Sequence, residues 1–372
     1  MTRRAILTSP SVGDPSAHVA GLSVLLRQLL SFQDAGIEEV EVEGLTNGEL
    51  QDPRLTLRVI RAPADRPAGE RDALLTARIG LVWHRLLPRR LVRSGYRGDI
   101  EAAPLENGEF VVAPVDARAR REAEDMLLAA LLKATDGLIS RSINRRISLQ
   151  VTRSLLETSL TPNQMTAIAA LFGLAAIVVV GWGGAAWFVP GAVLLQFQSI
   201  LDGCDGEISR LKYIRSRLGE WLDQVLDDAV NLGFFVATGW ALHRAGWGPA
   251  LTLTAIGAGF HLTYQVALYA ALIVSGGGSG SVASIRWRGQ KDHGDIPHAT
   301  GQPRSLWKAI KETLEMAGRR DFFTFLYLPA ALFGVMQLAL AWCTGIFVLS
   351  GLASSVHWLV FGAPAPAAKA KS

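Results

Sequence analysis

The sequence predicts an all-α membrane domain of six helices preceded by a small soluble α/β domain. Composition points there first: 49% of the 372 residues are hydrophobic and 19% are charged. The mean hydropathy is +0.25, values that lean towards a membrane protein carrying a soluble part. Six apolar runs lie near 164–182, 185–204, 218–242, 249–275, 321–338 and 340–361, each close to the ~20 residues that cross a bilayer. Ahead of them, short strand-like and helix-like segments alternate. These features divide the chain into 1–132 (α/β), 133–163 (basic, juxtamembrane), 164–362 (six spans) and 363–372, an Ala/Pro/Lys tail expected to be disordered.

In the first part, Ala5–Thr8 reads as a strand, Gly21–Ala35 as an apolar-periodic helix ended by Gly36, and Val40–Val42 as a second strand. Helices are expected near Arg71–Leu87 and Ala117–Leu132, with a strand over Glu109–Val112. A β–loop–α–β opening of this kind suggests a parallel sheet. AGLSVLLRQLLSFQDAGIEEVEVEG resembles the helix and strand after the nucleotide-binding loop of MobA-like and sugar-nucleotide nucleotidyltransferases. FVVAPVDARARREAEDML is similar to that fold's closing strand and helix, with Asp116 where an acidic residue can hold metal. The loop itself departs from the family: SPSVGDPSAH lacks G-x-G and any Lys or Arg for a triphosphate, so the domain reads as a degenerate one, structural or regulatory.

Between 133 and 160, Arg141, Arg145, Arg146 and Arg153 alternate with Leu138, Ile143, Ile147, Val151 and Leu155, an amphipathic basic pattern suited to a membrane surface. Attraction to anionic headgroups and binding of an acceptor's phosphate are equally compatible with it. Thr161 then makes an N-cap with Pro162 at the first helical position.

The second and third spans meet at LDGCDGEISRLKYIRSRLGEWLDQVLD. At about 100° per residue, Asp202, Asp205, Gly206 and Ser209 share one helical stripe, and Gly219, Asp223 and Asp227 share another. Facing stripes would form a pocket of four carboxylates and two glycines. Carboxylates packed this way need a cation, and Mg²⁺ or Mn²⁺ prefers oxygen ligands together with substrate phosphates. The glycines would let a diphosphate approach the backbone.

Written as D-x2-D-G-x2-S-R-x8-G-x3-D-x3-D, the stretch resembles the CDP-alcohol phosphotransferase signature, with Ser209 where that family has Ala. A serine there is small and able to bond back to the preceding helical turn. TPNQMT is similar to the opening of the first membrane helix in many members. The overall order looks like that of bifunctional proteins joining an inositol-phosphate cytidylyltransferase to a di-inositol-phosphate phosphate synthase. The resemblance implies transfer of a phospho-alcohol group from a CDP-alcohol donor to an acceptor hydroxyl, with release of CMP. It implies two Mg²⁺ or Mn²⁺ ions on Asp202, Asp205, Asp223 and Asp227, and Asp227 as the base. Gly206, Ser209, Arg210 and Gly219 fall where the family surrounds the CDP group, and a homodimer is implied as well.

Lys and Arg set the expected topology. Arg210, Lys212, Arg215 and Arg217 lie in the motif loop and Arg286 to Arg320 in the long loop, against Arg244 alone on the opposite side. The motif and both termini are therefore expected in the cytoplasm, in a multi-pass protein of the inner or cytoplasmic membrane. No secretory signal is expected, because MTRRAILTSPSVGDP lacks an apolar core. Cys204 and Cys343, both in apolar segments, suggest neither a disulfide nor a Cys-based zinc site. No nucleic-acid partner is expected.

The long loop opens with a Gly-rich linker and ends in SLWKAIKETLEMAGRRD, an expected interfacial helix; His293 and His298 within it read as solvated rather than metal-binding. His261, Tyr264 and Gln265 share one stripe of the fourth span, for hydrogen bonding between helices or, more sharply, for an acceptor pocket. A UbiA-like prenyltransferase is a rival, but the chain lacks Asn-Asp-x2-Asp. An ion-coupled transporter is another, but its acids would lie at mid-membrane on broken helices.

Overall fold

The computed structural model describes residues 3–44, 52–63, 73–132, 137, 139–286 and 319–366. His293, His298, the basic residues between 288 and 311, most of the expected interfacial helix and the end of the tail lie outside the described residues.

The N-terminal unit contains β1 (Arg4–Thr8), β2 (His18–Val19), β3 (Leu22–Ser23), α1 (Val24–Asp34), β4 (Glu39–Glu43), β5 (Arg58–Ala62), β6 (Leu75–Arg78), β7 (Val82–Trp83), α2 (Leu87–Ser94), β8 (Gly98–Asp99), β9 (Val111–Val112) and α3 (Ala117–Ala129). Five strands pair in the order β5-β4-β1-β6-β8, all parallel. Ser23 caps α1 by accepting from the Leu26 amide at 3.4 Å. Leu25, Leu29 and Phe32 of that helix pack against Ala5, Leu7, Val40, Val42 and Leu75 of the sheet.

Two expectations fail here. Arg71–Leu87 is not a helix: Leu75–Arg78 joins β1 as a strand, and Val82–Trp83 pairs antiparallel with β9. Between them Gly80 sits at φ +96, where a Cβ would lie 2.3 Å from the Val12 carbonyl oxygen, so the chain crosses the β1 loop backbone to backbone. Glu109–Val112 is strand only over Val111–Val112. The edge strand β5 had no strand reading, because RVIRA lacks clean alternation and is largely half-exposed.

The remainder is helical: α4 (Arg145–Leu155), after a π-helical turn at Ser140–Asn144, then α5 (Pro162–Gly183), α6 (Phe188–Lys212), α7 (Arg217–Arg244) and α8 (Ala250–Ser275). A short antiparallel pair, β10 (Ile285–Arg286) with β11 (Ala365–Pro366), flanks α9 (Arg320–Leu332) and α10 (Met336–Phe361). Thr161 and Gln164 form a reciprocal capping box that fixes the start of α5. The helices α5–α10 pack around a core that includes Phe234, Phe235, Tyr327 and Phe347. Four of them, α5, α7, α8 and α10, are long and apolar enough to cross a membrane. The other two differ: α6 carries the motif acids and basic residues through its last turns, and α9 spans 13 residues. Trp182, Trp240, Val266, Ile273, Leu338 and Leu359 are exposed apolar residues on the outer faces of the four, as expected of helices solvated by lipid. Arg244, the lone basic residue of its side, donates to the Trp182 carbonyl at 3.0 Å and so closes the end of α5.

Candidate active site

The C-terminal half of α6 and the first turns of α7 are joined by a tight turn at 213–216, and α5 packs against both helices. Ser216 caps α7 by accepting from the Gly219 amide at 3.2 Å. This arrangement brings one carboxylate oxygen each of Asp202, Asp223 and Asp227 within 4.8 Å of one another. Asp205 sits to the side of that trio. It is buried, accepts from Thr166 Oγ1 at 2.5 Å, and is in hydrogen-bonding contact with Asp223. Hard, closely spaced oxygen donors suit Mg²⁺ or Mn²⁺, so the residues present fit a divalent cation.

Arg320, at the start of α9, bridges the cluster: it meets Asp202 at 2.7 Å and also pairs with Asp227. Asp227 accepts from Gln198 Nε2 at 3.1 Å through its other oxygen. Two cavities flank the acids. One of about 280 Å³ is lined by Asn163, Thr166, Asp205, Gly206, Ser209 and Gly219. The other, of about 540 Å³, is lined by Asp227, Asp228, Asn231, His261, Tyr264 and Arg320. Glu220 and Asp223 line both, so the two spaces meet beside the carboxylates.

The expected residues separate on inspection. At Gly206 an added Cβ would lie 3.0 Å from the Arg210 guanidinium, the far end of a flexible side chain. Gly219 is glycine for a nearer reason: a Cβ there would lie 2.4 Å from Asn163 Oδ1 of α5. Ser209 does not bond back to the preceding turn; its hydroxyl donates forward to the Ile214 carbonyl at 2.6 Å and tightens the α6–α7 turn. Arg210 stands beside the small cavity without lining it.

Two of the juxtamembrane arginines are engaged inside the protein. Arg145 pairs at 2.8 Å with Glu207, which is fully buried and also accepts from Ser148 and Thr152, each at 2.6 Å. Arg153 pairs with Glu124 and Asp125 of α3. His261 and Gln265 meet at 3.1 Å along one helix, not between helices, and the His261 ring stacks on Phe347 at 4.1 Å between centroids. Sequence reasoning missed Arg320, Gln198, Thr166 and Asp228 as parts of the site, and Glu207 as a buried structural acid. Asp228 and Glu207 lie inside or beside the motif and were visible there as acids. Tyr269 and Gln224 donate to Asp228 at 2.8 and 2.9 Å.

Residues 159–287 match the CDP-alcohol phosphatidyltransferase family. Proteins named bifunctional IPC transferase and DIPP synthase are similar over more of the chain. The one from Aquifex aeolicus is 28% identical over 63% of this chain and 46% of its own length. That from Thermococcus kodakarensis is 33% identical over 57% and 41%, and that from Rubrobacter xylanophilus 37% over 50% and 42%. The chain thus spans less than half the length of these curated relatives.

Proposed function

We propose that the CDP-alcohol phosphatidyltransferase domain of this chain moves a phospho-alcohol group from a CDP-linked donor to an acceptor hydroxyl and releases CMP. The observation that carries the reading is the convergence of Asp202, Asp223 and Asp227 at the junction of two cavities that share Asp223. Asp202, Asp223 and Asp227 would hold the metal ions, with Asp205 beside them. Bound there, Mg²⁺ or Mn²⁺ neutralises the donor diphosphate and makes its phosphorus more electrophilic.

The small cavity suits the CDP group: Gly206 lines it without a side chain, and Ser209 and Gly219 fix the turn beside it. The larger cavity suits the acceptor, with Asn231, His261 and Tyr264 as its polar wall. In the reaction the acceptor oxygen forms a bond to the β-phosphorus while the bond from that phosphorus to the bridging oxygen breaks. The electron pair leaves with CMP. Asp227 takes the acceptor's hydroxyl proton, and Gln198 and Arg320 orient its two carboxylate oxygens.

By the Lys/Arg asymmetry, six spans place the motif and both termini on the cytoplasmic side, where CDP-activated donors are available. The resemblance to the bifunctional relatives makes a polyol phosphate one candidate acceptor and a homodimer the candidate assembly. The α/β unit is read as non-catalytic. Amides of its first loop are used internally, Ser9 donating to Glu43 at 3.0 Å, Val12 to the Ile79 carbonyl at 2.7 Å and Ser16 to Asp14 at 2.9 Å. The test is CMP release by the detergent-solubilised chain over a panel of CDP-alcohols and acceptors with Mg²⁺ or Mn²⁺. Cation-dependent CMP release with one donor–acceptor pair supports the reading; diphosphate release from a prenyl donor instead would overturn it.

A further inference from the structure

The turn joining the two motif halves is held from outside the membrane helices. A helix leaves its last carbonyls without partners in the helix, and two such carbonyls of α6 are met by the α/β unit. Arg27 donates through Nη1 to the Leu211 carbonyl at 3.1 Å, and Arg54 to that of Lys212 at 2.7 Å. Arg27 is 4% exposed, and its other terminal nitrogen donates to the carbonyls of Val19 and Ala20 at 2.8 and 3.0 Å. One guanidinium thus ties the β2–β3 hairpin to the end of α6. Arg54 is itself fixed by Asp52, at 2.7 and 2.5 Å.

The next residue, Tyr213, takes φ +54, a left-handed conformation that bulky side chains rarely adopt. Its ring lies under the Arg85 guanidinium at 5.5 Å. Arg85 and Arg215 share Asp34 at 3.2 and 2.9 Å, so α1 also reaches the turn. Behind it, Lys212 Nζ donates to the Thr158 carbonyl at 2.7 Å. A Cβ on Gly21 of the hairpin would lie 2.3 Å from the Leu156 carbonyl oxygen, which places hairpin and juxtamembrane chain backbone to backbone.

We propose that the α/β unit is a positioning clamp for the α6–α7 turn, with Arg27 and Arg54 as its positioning residues. They set the spacing between Gly206 and Ser209 on one wall of the small cavity and Gly219 and Asp223 on the other. The proposal rests on the reading of that cavity as the donor site. It gives a unit without a phosphate-cradling loop a role in the chemistry of its neighbour.

The test compares full-length wild type, Arg27→Gln, Arg54→Gln and Arg27→Lys in detergent, with Arg90→Gln as a control. Arg90 pairs with Glu109 inside the α/β unit, away from the turn. Hydrogen–deuterium exchange of peptides covering 209–218 reads the clamp directly, and CMP release reads donor KM and kcat separately. Both Gln variants are expected to exchange at least tenfold faster over 209–218 and to raise donor KM at least fivefold, with acceptor KM unchanged. Arg27→Lys should recover part of both effects, and Arg90→Gln should show neither. Unchanged exchange at the turn in folded Arg27→Gln and Arg54→Gln overturns the clamp, as does exchange raised equally across the whole α/β unit. If Arg27→Gln does not fold, Arg54→Gln decides, because its side chain is a quarter exposed. If wild type releases no CMP from any donor, the donor-site reading fails, while the exchange result still decides the clamp.

Discussion

In the α/β unit carboxylates face arginines: Glu39 meets Arg4 and Arg58, Asp52 meets Arg54, Glu101 meets Arg78, and Glu109 meets Arg90. In the helical domain Asp202, Asp205, Asp223 and Asp227 face one another, with Arg320 reaching two of them. Pairing of opposite charges satisfies each acid locally and fixes the fold. Convergence of like charges is unfavourable by itself, and it persists where a cation and a charged substrate complete it. Glu207 sharpens the contrast, because it lies in the middle of the motif yet is paired like an acid of the α/β unit. Position in a motif therefore does not assign an acid to the chemistry; its partners do.

The largest effect should come from an acid of the converging kind. Asp227→Asn keeps the shape and removes the proton acceptor, so CMP release should fall by about 10²–10⁴-fold while donor binding survives. Near wild-type turnover in that variant would break the assignment of the base. Arg145→Met tests the paired kind. It leaves the Glu207 carboxylate buried with the hydroxyls of Ser148 and Thr152. Removing one partner of a buried pair costs about 3–5 kcal/mol. Thermal unfolding in detergent should show the loss, with kcat of the surviving protein little changed. Arg320→Gln should act in the opposite sense on the cluster. A unit positive charge about 5 Å from a doubly charged cation costs about 1.7 kcal/mol in a dielectric near 80, so Mn²⁺ affinity should rise about 16-fold by titration calorimetry. No change, or weaker binding, would show that Arg320 does not compete for these carboxylates. The smallest expected signal is from the α/β unit: the full chain given CTP and polyol phosphates should release no pyrophosphate above background.

The helical domain was the more legible half. Long apolar runs and a capping box mark α5, α7, α8 and α10 closely, since twenty apolar residues have few alternatives to a helix; the run expected over 321–338 instead breaks, with α9 ending at Leu332 and α10 starting at Met336. The motif acids were legible for a related reason: two helical stripes joined by one short turn must face the same way. Arg320 was not, because 93 positions separate it from Asp227 and its place depends on how α9 packs. The α/β unit hid more. Leu75–Arg78 reads as part of an amphipathic helix until β1 supplies a partner strand, and β5 is an edge strand with arginines near both ends. The roles of Arg27 and Arg54 were equally invisible, since both end on backbone carbonyls of a distant helix.

The central claim is that the converging carboxylates are a divalent-cation site. Mn²⁺ binding to the solubilised chain, read by electron paramagnetic resonance with and without a CDP-alcohol, tests it without relying on turnover. Wild type should bind two Mn²⁺ ions in the presence of donor, Asp202→Asn and Asp223→Asn should each lose at least one, and Arg145→Met should keep both. Equal Mn²⁺ binding by wild type and the two aspartate variants, or none by wild type, would contradict the account.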